Sequence, residues 1–217
     1  MKLALNKIQF PVTTLGFGRR VGIWTQGCSI GCPGCINRDT WDVRADDWIE
    51  MEEIFRAFSR WPDADGVTIS GGEPFEQIDA LEFLIENVRC FYSGDILVFS
   101  GFEFEKLERQ YSKILDLIDV VVAGPYRADL GNDLVLRGSD NQTIHLLTTL
   151  AMERYPADLN ERKREKPYGL DLSFTENGIF LAGITQKSEM ARLSKNMAKN
   201  GYQIITSNQK QVSSINE

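Results

Sequence analysis

Short apolar runs alternate along most of the chain with longer segments in which apolar residues return every three or four positions. The short runs cover residues 21–26, 66–70, 95–100 and 119–124. The longer segments between them cover residues 47–61, 76–89 and 104–118. Short apolar runs are typical of buried strands and the longer spacing is typical of amphipathic helices. The pattern therefore predicts an α/β fold built from strand–helix units on a parallel sheet, with Asp46 or Asp47 as the N-cap of the first helix.

The C-terminal third carries a weaker pattern. Residues 138–148 predict a fifth strand, and a hairpin is predicted from residues 170–174 and 179–184 around a turn at 176–178. A helix over residues 188–201 ends at Gly201 and a strand over 202–206 follows it. The predicted organisation has four parts: a core over 1–150, a charged linker over 151–168, a small β-β-α-β element over 169–206 and a disordered tail over 207–217.

The polar turns that follow the predicted strands are unusual. The first strand leads into "GCSIGCPGC", the second into "GGEP", the third into "GFEF" and the fourth into "GPYR". Because parallel strands end at the same edge of a sheet, these turns are expected to share one rim, where α/β proteins build their sites. All of the chemistry is therefore expected at that rim.

Composition and charge narrow the classes of partner. The chain has 217 residues and a formal net charge of -7, which argues against broad binding to nucleic acid or to an anionic membrane. A small molecule or a protein is the expected partner. Neither a signal sequence nor an apolar run of about 20 residues is present, so the chain is expected to be cytoplasmic. In that reducing compartment, clustered cysteines indicate metal or redox chemistry rather than disulfides.

Three of the four cysteines lie in one short loop, at Cys28, Cys32 and Cys35. A zinc site needs a fourth ligand, which would have to be the isolated Cys90 or His145. A thioredoxin-like dithiol would use only Cys32 and Cys35. An iron–sulfur cluster accounts for the count better, because three thiolates leave one iron open for a substrate or cofactor.

The composition of the loop suits a cluster. Gly27, Gly31 and Gly34 let the backbone curl tightly and point amide groups at the sulfurs, while Pro33 stiffens the bend. Such hydrogen bonds, together with solvent exposure, set the reduction potential of a cluster.

The spacing CxxxCxxC after one strand and GGEP after the next resembles the radical S-adenosylmethionine superfamily. The stretches "QGCSIGCPGCINRDTWD", "ISGGEPFEQIDAL", "LIDVVVAGPYR" and "LRGSDNQTI" are similar to one branch, the activating proteins of anaerobic ribonucleotide reductase. The resemblance covers most of the first 148 residues and none of the last 60 or so. Two departures are visible: Gly34 replaces a frequent aromatic residue, and Ala123 replaces the usual aspartate before the "GP" pair.

The resemblance implies a fold, a cofactor set and a site. The fold is an incomplete (βα) barrel, and the cofactors are a 4Fe-4S cluster on Cys28, Cys32 and Cys35 and S-adenosylmethionine on its open iron. One electron cleaves the sulfonium to a 5'-deoxyadenosyl radical, without an acid–base pair from the protein. The cofactor-binding residues implied are Gly34, Ile36, Asn37, Gly71, Gly72, Glu73, Pro74, Ser100, Gly101, Asn141 and Gln142.

Each implied residue also has a plainer interpretation. The glycines, Asn37 and Ser100 are ordinary turn residues, and Asn141 and Gln142 are ordinary loop caps. Within the resemblance, Ile36 and Asn37 lie near the adenine, and Ser100 and Gly101 lie near the sulfonium or ribose. The second turn offers carbonyl and carboxylate oxygens to the cofactor's ammonium group. Cys90 is expected to be a small buried thiol and His145 a structural residue.

Three functions are compatible with these features. The first is installation of a glycyl radical on a partner enzyme similar to anaerobic ribonucleotide reductase, with electrons from a donor such as a flavodoxin or ferredoxin. The second is radical chemistry on a small molecule or peptide, as in carboxy-deazaguanine synthase, with the C-terminal element supplying a wall of the site. The third is an iron–sulfur electron carrier or redox sensor.

Overall fold

A seven-stranded sheet organises the computed structural model, which describes residues 1–165, 169–175, 178–185 and 187–201. Its strands are β1 Lys2–Val12, β2 Arg20–Thr25, β3 Trp48–Glu50, β4 Gly66–Gly71, β5 Asp95–Ser100, β6 Val120–Ala123 and β7 Thr143–Leu146. The strand order is β3-β1-β2-β4-β5-β6-β7. The neighbours β2, β4, β5 and β6 run parallel, whereas β1, β3 and β7 each pair antiparallel. The structure thus confirms a mixed α/β fold whose central strands are the four predicted from the apolar runs.

The helices on the sheet are α1 Met51–Phe58, α2 Ile78–Phe91, α3 Phe104–Leu115 and α4 Thr149–Arg154. Two of them, α1 and α3, fall inside the predicted segments, and α2 extends two residues beyond the predicted end at residue 89. The predicted start of the first helix was wrong: its N-cap is Glu50, and Asp46 and Asp47 lie in a preceding 3₁₀ turn. The reason is long-range pairing, because Lys2–Ala4 of β1 hydrogen-bond to 48–50 and draw them into β3.

Both faces of the parallel strands are buried, as the continuous apolar runs predicted. One face packs against the helices, with Val21, Ile23 and Ile69 in the same cluster as Leu81 and Leu84 of α2. The other face includes Leu97, Val120 and Val122, which pack with Ala151, Tyr155 and Leu159. The segment expected as a charged linker therefore contributes to the core.

A buried ionic network ties the amino ends of the strands together. Arg20 at the start of β2 and Asp95 at the start of β5 are both fully buried and make two hydrogen bonds of 2.9 Å. Asp95 also accepts from the Tyr155 hydroxyl at 2.7 Å and pairs with Arg154 at 3.1 Å. These contacts fix α4 and the residues after it at the end of the sheet opposite to the rim turns.

The C-terminal element is described in part, as the hairpin β8 Asp171–Thr175 and β9 Gly178–Ala182 and the helix α5 Lys187–Lys199. The hairpin docks on the first strands: the Asp171 carboxylate accepts from Thr13 and Thr14, with distances of 2.7 to 3.0 Å. The Phe180 and Trp24 rings meet edge to face at 4.8 Å. Most of the predicted turn at 176–178, the strand over 202–206 and the tail over 207–217 lie outside the described residues.

None of the helices in the described part of the chain is long and apolar enough to cross a bilayer.

Candidate functional site

The turn after β4 lies directly against the start of the cysteine loop. Gly72 N–H donates to the Thr25 carbonyl at 2.9 Å, and Glu73 N–H donates to the Gly27 carbonyl at 2.8 Å. A Cβ atom on Gly72 would lie only 2.1 Å from the Gly27 carbonyl oxygen. Gly71 has a φ of +106°, and a Cβ there would lie 2.5 Å from the Thr25 backbone. Both glycines are therefore required by this close approach.

Glu73 links this turn to the turn after β5. Its side chain is 1% exposed and accepts hydrogen bonds from Ser100 Oγ at 2.9 Å, Gly101 N–H at 2.7 Å and Phe75 N–H at 3.1 Å. Burial raises the pKa of Glu73 to about 7, against the opposing effect of these three donors. Glu73, Ser100 and Gly101 were all predicted to contact the cofactor, and hydrogen bonds to the Glu73 carboxylate hold them together.

The cysteine loop curls as its glycines predicted. Gly27, Gly31 and Gly34 have φ values of +104°, +59° and +83°, in the left-handed region that glycine favours. The loop is anchored near its first cysteine, where the Ser29 N–H donates to the Glu76 carboxylate at 3.0 Å. The Cys28 N–H donates to the Trp41 carbonyl at 3.0 Å.

Burial and neighbouring N–H groups act in opposite directions on the pKa of the three thiols. Burial raises the pKa of all three, and the donors lower it. The donors are the backbone of Ile30 and Gly31 for Cys28, the backbone of Tyr126 for Cys32, and the backbone of Asn37 and the indole of Trp41 for Cys35. The fourth rim turn therefore reaches the loop through Tyr126.

This donor set fits an iron–sulfur cluster. Cys28 and Cys32 act electrostatically on the Cys35 thiol, and N–H groups near thiolate sulfurs are a general means of tuning such clusters. Within the described ranges, no three His, Cys, Asp or Glu side chains are grouped as ligands for a single metal ion.

The two remaining candidate ligands lie outside the cysteine loop, His145 on β7 and Cys90 on α2. His145 stacks on Phe104 with ring centroids 3.4 Å apart and contacts the Thr143 hydroxyl at 2.8 Å. Burial lowers the pKa of His145. Cys90 is exposed on α2, so the expectation of a buried thiol was wrong. The helix turns this position outward, because its buried positions are Leu84, Ile85 and Val88.

Among the predicted adenine contacts, Ile36 is 42% exposed beside the loop. The Asn37 carbonyl accepts from Thr40 N–H at 3.0 Å and from Thr40 Oγ1 at 2.7 Å, so Asn37 also forms a turn. Pro74, whose backbone has no N–H to lose, begins the 3₁₀ turn before α2 and is buried.

Asn141 and Gln142 bind the fourth rim turn. Gln142 donates to the Gly124 carbonyl at 3.0 Å and accepts from Gly138 N–H at 2.8 Å, so its amide is used within the loop. Asn141 donates to the Pro125 carbonyl at 2.7 Å, and its Oδ1 is buried without a hydrogen-bond partner among the described residues. That oxygen is able to accept a hydrogen bond from a ligand. Ala123 is fully buried in the sheet.

The sequence reasoning gave no role to Trp41, Tyr126 or Glu76. All three lie inside stretches that carry the family resemblance, "NRDTW", "GPYR" and "GGEPFEQ". They lie in loops or a short turn, where hydrophobic periodicity carries no information about contacts. Only position relative to the cysteines would have pointed to them.

Comparisons with known proteins agree with this geometry. Residues 14–145 match the family model described as "4Fe-4S single cluster domain". The chain is 31% identical over 147 residues to the anaerobic ribonucleoside-triphosphate reductase-activating protein of Escherichia coli K12, covering 64% of this chain and 96% of that protein. It is 28% identical over 155 residues to the pyruvate formate-lyase-activating enzyme of Streptococcus mutans, covering 67% of this chain and 57% of that enzyme.

Among solved structures, QueE from Escherichia coli aligns with a TM-score of 0.37 and 20% identity, over 46% of this chain and 53% of that one. The family model and the activating-protein relatives decide the assignment, because the model spans more than half of the chain and the chain covers nearly all of the Escherichia coli K12 relative. The chain belongs to the 4Fe-4S single cluster domain family of the radical S-adenosylmethionine superfamily.

Proposed function

We propose that this protein cleaves S-adenosylmethionine reductively at a 4Fe-4S cluster and installs a glycyl radical on a partner enzyme similar to anaerobic ribonucleotide reductase. One observation carries the proposal: a glycine-rich loop with three thiols is hydrogen-bonded to a GGEP turn, in a chain whose relatives are named for activating that reductase. When bound, the cluster and S-adenosylmethionine supply the electron transfer and the 5'-deoxyadenosyl radical that takes hydrogen from the substrate.

The chain's own residues would bind and orient these groups. Cys28, Cys32 and Cys35 are the proposed ligands, and their N–H donors would hold the thiolates in place. The carbonyl and carboxylate oxygens of residues 71–74 would accept hydrogen bonds from the cofactor's ammonium group. Because the Glu73 carboxylate already binds the third rim turn, its proposed contribution is the negative charge and the alignment of that turn.

The other proposed contacts surround these two turns. Asn141 Oδ1 is the best supported, because it is a buried acceptor without a partner in the described residues. Gln142 would act by holding that loop, since both ends of its amide are occupied. The remaining proposed cofactor contacts are Gly34, Ile36, Asn37, Pro74, Ser100 and Gly101.

The partner and the electron donor follow from the same proposal. The partner would be a glycyl radical enzyme, and the reductant a flavodoxin or ferredoxin. We also propose that the sheet is the incomplete barrel of this superfamily. The proposed boundaries of the chain's parts lie near residues 150, 168 and 206, with the segment after residue 150 packed on the sheet through Tyr155 and Leu159.

One anaerobic experiment tests the first half of the proposal. The protein is reconstituted with iron and sulfide, reduced and mixed with S-adenosylmethionine, and 5'-deoxyadenosine is measured. Alanine variants of Cys28, Cys32 or Cys35 should lose the product, whereas the exposed Cys90→Ala should retain it. A reduced, intact cluster that gives no 5'-deoxyadenosine would instead indicate an electron carrier or redox sensor.

A second experiment tests the substrate. Deuterium should pass from one labelled backbone glycine of the partner enzyme into 5'-deoxyadenosine. Transfer from a free metabolite or a short peptide would favour the rival radical reaction. The rival has one observation in its favour, since the C-terminal hairpin lies outside the family match and packs on Trp24, just before the cysteine loop.

A further inference from the structure

We infer that the C-terminal hairpin, β8 and β9, is a fixed wall of the substrate site. Phe180 in this wall is a specificity-determining residue, which confines the hydrogen donor to a narrow strip of the sheet over Ser70 and Phe99. The inference rests on the proposed function, because it needs a cofactor radical at the rim. It gives a task to a part of the chain that lies beyond residue 145, where the family match ends.

A row of side chains crosses the inner face of the sheet, which is the face opposite to α2 and α3. The row consists of Trp24 on β2, Ser70 on β4, Phe99 on β5, Val122 on β6 and Ile144 on β7. Successive side chains of a strand point to opposite faces, and the preceding residues on the four parallel strands pack with the helices: Ile23, Ile69, Val98 and Val121. On those four strands the row lies one residue before the last, so it forms the floor directly below the rim.

The hairpin covers the β2 end of this row. The Phe180 ring meets the Trp24 ring edge to face at 4.8 Å, and Trp24 is 4% exposed. Ala182 and Ile184 belong to the same apolar cluster, and Phe99 packs against it. The hairpin therefore reaches from β2 to the edge of β5 on the inner face.

Polar contacts fix the hairpin in this position, in addition to the carboxylate contacts with the end of β1. The Ser173 hydroxyl donates to Gln9 Oε1 on β1 at 2.9 Å. At the end of the hairpin, the Arg164 guanidinium donates to the Ile184 carbonyl and, at 2.9 Å, to the Asn132 carbonyl. The hairpin is thus held at both of its ends, as expected of a wall rather than of a mobile lid.

Residues that follow β6 cover the other end of the row. Val122 and Ile144 pack in one apolar cluster with Leu136, Tyr155 and Leu159, and both are buried. The inner face is therefore covered from two sides, by the hairpin over β2 and by these residues over β6 and β7.

The part of the row that stays partly exposed is Ser70 and Phe99. These residues lie on neighbouring strands, which are about 4.8 Å apart, so the open strip is about 10 Å wide. That width admits one extended chain segment and excludes a broad protein surface. Gly71 and Ser100 of the second and third rim turns lie directly above the strip, and α2 and α3 occupy the outer face below those turns. A glycine on a protruding segment of the partner therefore reaches the rim over this strip.

Phe180 sets the β2 border of the strip. Without its ring, Trp24 is uncovered and the strip widens towards β2. The partner's glycine is then held less precisely, and water reaches the radical. Because small misplacements of reacting groups cost large factors in rate, we expect the yield of glycyl radical per 5'-deoxyadenosine to fall about tenfold in Phe180→Ala.

The test uses the reconstituted full-length protein and the anaerobic ribonucleotide reductase of the same organism. Electron paramagnetic resonance counts the glycyl radicals, and chromatography counts the 5'-deoxyadenosine. The matched control is Leu172→Ala, on the opposite face of the hairpin and 58% exposed, which should keep the wild-type yield. Phe180→Tyr keeps the ring and should keep the yield as well. An unchanged yield in Phe180→Ala, at an iron content equal to that of the wild type, would overturn the inference.

A second measurement needs no variant. Hydroxyl-radical footprinting of the wild type, alone and in complex with the reductase, reports the exposure of single side chains. Phe99 should be protected in the complex, whereas Phe91, which is 37% exposed on α2, should react as in the free protein. A complex that leaves Phe99 unprotected would refute the inference.

The failures can be told apart. In the free protein without a cluster, Trp24 should react more slowly than Trp48, since the two side chains are 4% and 45% exposed. Equal reactivity would remove the wall and leave the proposed function intact. A wild type that forms no 5'-deoxyadenosine or no complex with the reductase would instead overturn the proposed function itself.

Discussion

Replacing Glu73 by glutamine tests how the second and third rim turns are joined. The two oxygens of Glu73 receive different backbone donors, Phe75 N–H on Oε1 and Gly101 N–H on Oε2. A glutamine has only one acceptor oxygen, so one of these N–H groups must lose its partner. Glu73 is 1% exposed, so the loss occurs in a buried place. An unpaired buried donor costs about 1–3 kcal/mol, and Glu73→Gln should lose about that much unfolding free energy.

The loss should depend on pH, because the folded and unfolded states bind protons differently at Glu73. The pKa of Glu73 is raised from 4.5 to about 7 in the folded protein. Between these values the folded state binds more protons than the unfolded state, so this group's contribution to stability is complete below 4.5 and falls as the pH rises through 7. From about pH 5 to about pH 7.5 the wild type should lose about 2 kcal/mol through Glu73, and the glutamine variant should lose none of it.

The measurement is urea unfolding of the cluster-free protein under reducing, anaerobic conditions at both pH values. Glu86→Gln, an exposed position on α2, controls for the loss of one carboxylate. The gap between wild type and Glu73→Gln should be wider at the lower pH, while the gap for Glu86→Gln stays constant. If wild type and Glu73→Gln change in parallel with pH, the reasoning from burial is refuted.

Three further substitutions test the remaining structure. Gly72→Ala should lower the free energy of unfolding by about 1–3 kcal/mol and reduce iron retention, because the added Cβ meets a backbone carbonyl. The control is Gly131→Ala, because the space around Gly131 is open. Equal losses of the two variants in urea unfolding would contradict the argument. Asp95→Ala should lower the free energy of unfolding by about 3–5 kcal/mol in the same assay, because it leaves the buried Arg20 unpaired. A loss as small as that of a surface mutation would contradict the buried ionic network. Asp171→Ala should make the C-terminal hairpin more sensitive to limited proteolysis while the main sheet keeps its unfolding midpoint, and unchanged cleavage would contradict the docking.

Much of the fold was accessible from local pattern, and its failures have a common cause. The parallel strands were predicted because burial on both faces leaves continuous apolar runs. The first strand, Lys2–Val12, was missed, and with it the pairing that converts 48–50 from helix to strand. Likewise, the charged composition of residues 151–168 predicted a linker, although Tyr155 and Leu159 are buried. In each case a distant partner decided the local structure.

The sequence alone determined the chemistry, because ligand type and backbone freedom are properties of the residues themselves. It contains three thiols at CxxxCxxC spacing, glycines where the loop must curl, and a GGEP turn after the next strand. The tertiary structure decided which groups serve those thiols. Glu73 meets Ser100 and Gly101, and Tyr126 and Trp41 reach the cysteines, only because parallel strands end at one rim and the loop folds back on it. Such contacts join residues far apart in the chain, and their distances depend on packing that no local pattern encodes.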